Sequence, residues 1–203
     1  MATLLDYSLT TVADVKESLG IDSGNTSKDN LITRKINQAT RMIENYCNTR
    51  FKATDYTEYY DGIGGSELVL RHRPINSVTS LSARQVTTNE NDFDITDAED
   101  YFIDEPAGVI EFLGSFYGNY DSWKVVYNAG YDTIPEDVAE ACAQLAAYLV
   151  ENGTTGSSIK KKKEGQRELE YFDTSGQTGS LIEVLGLDDI LDAYADPLVS
   201  GLR

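Results

Sequence analysis

Trp123-Lys124-Val125-Val126-Tyr127-Asn128-Ala129-Gly130-Tyr131, followed two residues later by Ile134-Pro135-Glu136-Asp137-Val138, is where the chain changes period. Residues 123–127 are dense in strand formers. Pro135 then stands where a first helical turn tolerates its missing N–H, and Glu136 and Asp137 stand where that turn favours negative charge. From there Val138, Ala141, Cys142, Leu145, Ala146 and Leu149 recur at helical spacing until Gly153. Strand and helix occupy separate blocks of the chain, so the expected class is α+β.

Working outward, residues 56–60 and 67–70 flank Asp61-Gly62-Ile63-Gly64-Gly65, where clustered glycine supplies positive φ, and the spacing predicts a hairpin. Residues 78–83 alternate after Pro74, and 101–103 and 109–113 bracket a Pro106-Ala107-Gly108 turn. The polar, acidic stretch 88–100 reads as a loop. Two helices come earlier. A Thr/Asp capping pattern at Thr10, Thr11 and Asp14 opens the first, 10–20, with Val12, Val15 and Leu19 on one face and Gly20 at its end. Ser27 is the expected cap of the second, 28–48, which carries Leu31, Ile32, Ile36, Ala39, Ile43, Tyr46 and Cys47 at helical spacing.

The expected organisation is thus a small helical body with three main helices (10–20, 28–48 and 135–152), a β-rich insertion at 53–131, and an arm. Residues 1–152 form the body and 153–203 the flexible, extended arm. The arm is rich in Gly, Ser, Thr and Lys, with a weak strand or turn at 169–172. It ends in a short helix through Leu187, Ile190, Leu191 and Tyr194, which Pro197 forbids from continuing.

The 203 residues suffice for one ordinary domain with an arm, and 40% apolar residues can bury a real interior. Seventeen basic against 34 acidic residues give a net charge of −17, which repels phosphate backbones and anionic membranes. Residues 159–167 run against this trend with five basic residues and one Glu (5 − 1 = +4), leaving −21 elsewhere. The first residues show no basic-then-apolar leader, and no apolar run is long enough to span a membrane. Two cysteines exclude a disulfide-dense scaffold.

Catalytic constellations are hard to assemble from these residues. The single histidine, His72, follows a strand between Arg71 and Arg73 and reads as an exposed strand end, with no nucleophile elbow anywhere to partner it. Cys47 and Cys142 lie on apolar helix faces and read as small buried hydrophobes. Asp92, Asp94, Asp97, Glu99 and Asp100 offer oxygen ligands, but the order departs from a calcium loop and its required glycine is missing. Gly62-Ile63-Gly64-Gly65 fits no dinucleotide fingerprint, since Glu67 takes the sixth position. No metal and no cofactor is expected.

One ordered set of short motifs remains. It runs Leu9-Thr10-Thr11-Val12-Ala13-Asp14-Val15-Lys16 with Leu19-Gly20, then Ile36, Ala39-Thr40, Met42-Ile43-Glu44-Asn45-Tyr46-Cys47 and Arg50-Phe51. It continues with Tyr59-Tyr60-Asp61-Gly62, Leu68, Leu70, Pro74-Ile75 and Ser77-Val78, and closes with Val126-Tyr127-Asn128-Ala129-Gly130-Tyr131, Ile134-Pro135-Glu136-Asp137-Val138 and Ala141. Over residues 9–149 this order resembles the head-tail connector (adaptor, or head-completion) proteins of tailed bacteriophages. The resemblance implies a structural virion protein without catalysis, made in the host bacterial cytoplasm. It further implies a ring, typically dodecameric, beneath the portal protein, joining capsid to tail and prolonging a channel through which genomic DNA passes without sequence-specific binding. Expected partners are the portal, further copies of the chain, and a stopper or tail-completion protein. Within that reading Lys160, Lys161, Lys162 and Lys163 and the face of Ile190, Leu191 and Tyr194 are the expected contacts to neighbouring subunits or the portal. Two alternatives stand beside it: a stopper or tail-completion ring protein, and an acidic hydrolase using a pair among Asp92, Asp94, Glu99 and Asp104.

Overall fold

Helical spacing gives way to alternation just after Asn48, which closes a helix in the left-handed region at φ 52°, and returns at Pro135; the computed structural model divides at those places. It describes residues 2–61, 63–84, 92–94, 101–117, 123–152, 163–164, 167–168 and 181–195. One compact unit is Met1–Asn48 with Pro135–Arg203, and the other is Thr49–Ile134.

The helical unit holds α1 (Val12–Ser18), α2 (Asp29–Cys47), α3 (Glu136–Asn152), α4 (Leu181–Val184) and α5 (Asp188–Leu191). A reciprocal box caps α1: the Thr11 hydroxyl accepts from the Asp14 N–H, and the Asp14 carboxylate accepts from the Thr11 N–H at 3.0 Å. Ser27 does not cap α2. Its hydroxyl donates instead to the Asn25 side chain at 2.7 Å, and Lys28 takes the cap position without a side-chain bond. What favours the start of α2 is the Asp29 carboxylate in its first turn, paired with Lys16 at 2.7 Å.

α2 and α3 pack together and α1 packs on both. Ile32, Ile36, Ala39, Ile43, Cys47, Val138, Ala141, Cys142, Leu145 and Leu149 are buried, as is Val15 of α1. The N-terminal segment is stitched to α2 by amides: Asn37 accepts from the Leu5 N–H and donates to the Thr3 carbonyl. Where one terminal helix was expected there are two of four residues each, because Gly186 at φ 68° ends α4 and Leu187 N–H returns to the Ile182 carbonyl. Ile182, Leu187 and Leu191 are buried, so residues 181–191, read from the sequence as part of the arm, lie in the helical unit. Residues 169–172 lie outside the described residues, and the two-residue strands Lys163–Glu164 and Arg167–Glu168 pair with each other.

The second unit holds β1 (Thr54–Tyr60), β2 (Ile63–Val69), β3 (Ile75–Arg84), β4 (Asp92–Asp94), β5 (Tyr101–Asp104), β6 (Val109–Tyr117) and β7 (Trp123–Ala129). Two antiparallel sheets, ordered β1-β7-β3-β4 and β2-β6-β5, contribute to one core of Tyr60, Leu68, Leu70, Ile75, Leu81, Ile110, Trp123, Val125 and Tyr127. The hairpin expected across residues 61–65 is not formed. β1 pairs with β7 and β2 with β6, and Gly65 lies at bulges inside β2 rather than in a turn. A local turn signal yields here to long-range pairing that buries Tyr60 opposite Trp123. The β5–β6 hairpin forms as its spacing predicts, with Gly108 at φ 71°. Asp92–Asp94, expected in a loop, is an edge strand on β3, consistent with its alternation of charge and ring; the rest of 88–100, Asp97, Glu99 and Asp100 included, lies outside the described residues.

Candidate interaction surfaces

Alternation along β1 sends Tyr56, Glu58 and Tyr60 to one side, and the side chains of Tyr127, Arg71 and His72 meet them there. Glu58 Oε2 accepts hydrogen bonds from the Tyr60 hydroxyl at 2.5 Å and the Tyr127 hydroxyl at 2.7 Å. Glu58 Oε1 lies 3.5 Å from Arg71 Nη1 and 3.6 Å from His72 Nε2. The His72 ring stacks on Tyr56 at 3.9 Å, so it is half-buried in a node rather than the exposed strand end its sequence suggests. Arg71 sits over the Tyr60 ring and donates its N–H to the Tyr60 hydroxyl oxygen.

The electrostatics of this node are those of a clamp. Burial alone would raise the Glu58 carboxyl, but the two donated phenol bonds, with the charges of His72 and Arg71, outweigh it and hold Glu58 below the usual carboxylate range. Burial, with the bond to Glu58, pushes Tyr60 up to about 12, and burial first of all pushes Tyr127 up as well. Both phenols therefore stay protonated as donors. A carboxylate with its acceptors engaged by two phenols is a poor base. The node ties β1, β7 and the β2–β3 connection together. The pattern Tyr-x-Glu-x-Tyr in 56–60 was its sequence signal, since residues two apart share a face.

A second tie lies where the chain enters and leaves this unit. Gly130 has φ 115°, and a Cβ there would lie 2.9 Å from the Ala53 backbone. Its N–H donates to the Pro74 carbonyl, Tyr131 N–H to the Phe51 carbonyl at 2.6 Å, and Ala53 N–H back to Tyr131. Asn76 links Asn128 to the Gly130 carbonyl, and Asn128 donates to Asp55 at 2.6 Å.

The surfaces left for other molecules differ between the units. On the helical unit a groove of about 500 Å³ is lined by Asp14, Glu17, Glu136 and Glu140; the Thr11 hydroxyl bond, outweighing partial burial, holds Asp14 below its usual range. A shallower groove of about 340 Å³ follows the outer face of α2 along Arg34, Gln38, Arg41, Met42 and Asn45. On the other unit the outer side of β2-β6-β5 exposes Val69 (48%), Phe102 (60%) and Leu113 (67%). The sequence carried the signal for this face: Leu68-Val69-Leu70, Tyr101-Phe102-Ile103 and Phe112-Leu113 are apolar at both parities, so one parity must face outward.

The sequence-predicted contact residues fall in two places. Lys160, Lys161 and Lys162 lie outside the described residues, and Lys163 is described only as part of its short strand. In α5 and the turn after it, Ile190 is 36% exposed, whereas Leu191 is fully buried and its carbonyl accepts from the Cys47 thiol. The Tyr194 hydroxyl donates to Asp137 at 2.9 Å. Leu191 is thus spent on the chain's own body. Of the acids weighed for hydrolysis, Asp92 and Asp94 are placed in β4 and Asp104 accepts from the Ala107 N–H at the β5–β6 turn, while Glu99 lies outside the described residues. Among the described residues no cluster of His, Cys, Asp and Glu could hold a metal ion, and no helix is long and apolar enough to cross a membrane.

The family model described as "Head completion protein" matches residues 8–162, a span that takes in α1 to α3 and the whole β unit. No curated protein matches the sequence. Among solved structures the chain is similar to one in the neck of an empty gene transfer agent particle computed with C6 symmetry, and to one in the neck of the native particle computed with C12 symmetry. Each has a TM-score of 0.59 at 16% identity, covering 95% of this chain and 92% of that one. A chain in the virion of the native gene transfer agent particle gives the same TM-score and coverage at 17% identity. At these identities the likeness is one of fold.

Proposed function

From the premise that the chain belongs to the head completion protein family, a structural component of the virion at the head-tail connection and not an enzyme, we propose that its copies close into a ring beneath the portal protein, joining capsid to tail and extending the DNA channel. The observation that carries this reading is the family match, because it spans both folded units. The fold likeness to chains in neck assemblies computed with C6 and C12 symmetry supports the ring. The net charge of −17 supports a channel role, since an acidic wall does not retain a passing phosphate backbone.

The Lys160, Lys161, Lys162 and Lys163 run, with the exposed Ile190, is the proposed portal contact; Leu191 and Tyr194 enter it only through the turn they hold in place. The test is to mix the purified chain with the portal protein of its own particle and image the product by electron microscopy. A second ring stacked on the portal is expected. Failure of the folded chain to bind, or its absence from purified particles, refutes the reading; a ring found at the tail tube instead makes it a stopper. Replacing all four lysines with Ser is expected to abolish portal binding at unchanged circular dichroism. Truncation after Gly153 is the wrong variant, because it removes the buried Ile182, Leu187 and Leu191.

A further inference from the structure

The outer face of β2-β6-β5 is a small lattice that the register defines. One row across the strands is Glu67, Glu111 and Phe102, and the next is Val69, Val109 and Asp104, with Leu113 two residues along β6 from Glu111. Glu67 and Glu111 are directly opposite each other, an arrangement of like charges that weakens a sheet unless something positive covers it. Both are exposed, and neither makes an ion pair among the described residues. Beside them three apolar side chains stand between 48% and 67% open to water, which isolated folding does not explain.

The outer face of α2 is the complement. Arg34 and Arg41, seven residues apart, project from one side of the helix with Gln38 and Met42 between and beside them, and neither arginine makes an ion pair among the described residues. Two turns of helix separate them by about 10.5 Å along the axis. Across the sheet, two strand spacings and one two-residue step separate Glu67 from Asp104 by about 12 Å. The two spacings match. Met42 adds an adaptable thioether to set against Phe102 and Leu113.

We infer that these two faces meet between copies of the chain: the β2-β6-β5 face of one protomer seats the Arg34–Arg41 side of α2 of the next. The inference rests on the ring reading above and names its subunit contact. Two different patches that fit each other make a heterologous contact, the kind that closes into a ring or runs on as a filament, unlike a self-complementary dimer patch. A chain this acidic gains most from such an arrangement, because matching its few exposed guanidinium groups to carboxylates avoids the repulsion that like faces would meet.

Charge reversal tests it on the full chain assembled with its portal. Glu111→Arg and Arg41→Glu are each expected to lower the fraction of closed rings about tenfold or more, and the double variant to restore it, with circular dichroism unchanged throughout. A second measurement is independent of charge: Leu113→Cys with Arg34→Cys, oxidised in the assembled state, is expected to give a ladder of cross-linked protomers, the native Cys47 and Cys142 being buried at 1% and 0% exposure. Wild-type rings with neither an effect of reversal nor a ladder overturn this contact and leave the ring reading standing. A folded wild-type chain that forms no ring on the portal overturns the ring reading and this contact with it.

Discussion

The helical unit is closed by Ile32, Ile36, Ala39 and Ile43 with Ala141, Cys142, Leu145 and Ala146, small or aliphatic side chains around one hydroxyl–thiol contact, Thr40 with Cys142 at 3.7 Å, whereas the β unit buries Tyr60 and Tyr127 around a carboxylate. The difference follows from the backbone. Helices satisfy their own N–H and C=O groups, so the faces they bring together can be largely apolar. Strands whose partners lie far away in sequence need their register specified, and a hydrogen-bonded node that works in only one register supplies that. Aromatic mass follows the same division: Phe112 meets Trp123 at 5.4 Å between the two sheets, and Tyr56 meets Tyr127 at 5.5 Å.

Changes that attack each unit by its own weakness sharpen this contrast. The largest effect is expected from Gly130→Val, which combines an unfavourable positive φ with a side chain 2.9 Å from the Ala53 backbone; a loss of about 4 kcal/mol or more is expected in chemical denaturation. Hydrogen exchange should then rise first in β1, β3 and β7, and an equal rise in α2 and α3 would break the comparison. Leu145→Ala, at a fully buried site, is expected to cost about 2–5 kcal/mol, with exchange rising in α2 and α3.

Smaller is Glu58→Gln, which keeps the shape and removes the charge. A loss of about 1–3 kcal/mol is expected, and a variant as stable as the wild type would show that the node only fills space. Smallest and most diagnostic is pH. Glu58 is held below the ordinary carboxylate value of 4.5, so the unfolded chain binds its proton more tightly than the folded one. Its contribution is therefore present above pH 4.5 and lost as pH falls through the lowered folded value. Acid titration should soften the β unit in the wild type, and Glu58→Gln should remove that part of the pH dependence.

The helices were legible because their information is local. Val138, Ala141, Cys142, Leu145 and Leu149 announce α3 within a few turns of chain, and Thr11 with Asp14 announces the start of α1. Pairings were legible only where the turn was short: Gly108 gave the β5–β6 hairpin, but β1 finds β7 across more than sixty intervening residues, and nothing in Asp61-Gly62-Ile63-Gly64-Gly65 says that its strands part into different sheets. The outward apolar residues were legible strand by strand, but not as one surface. Val69 and Phe102 become neighbours on one surface only once β6 is inserted between their strands. The Gly130 and Asn128 motif stood out in the sequence as a resemblance, and its physical reason, a backbone approach closed to any Cβ, needed Ala53 in view.

A component of a virus particle spends part of its existence outside any cell, in contact with dissolved oxygen and traces of peroxide. Cys47 and Cys142 are both buried, and burial raises the Cys142 thiol to about 12. Oxidation proceeds through an exposed thiolate, and Cys142 offers neither the exposure nor the ionised form. The two thiols of the helical unit therefore age slowly in air: they can pass between reducing and oxidising surroundings without scrambling, so a connector carried away in a particle keeps its cysteines as it folded with them.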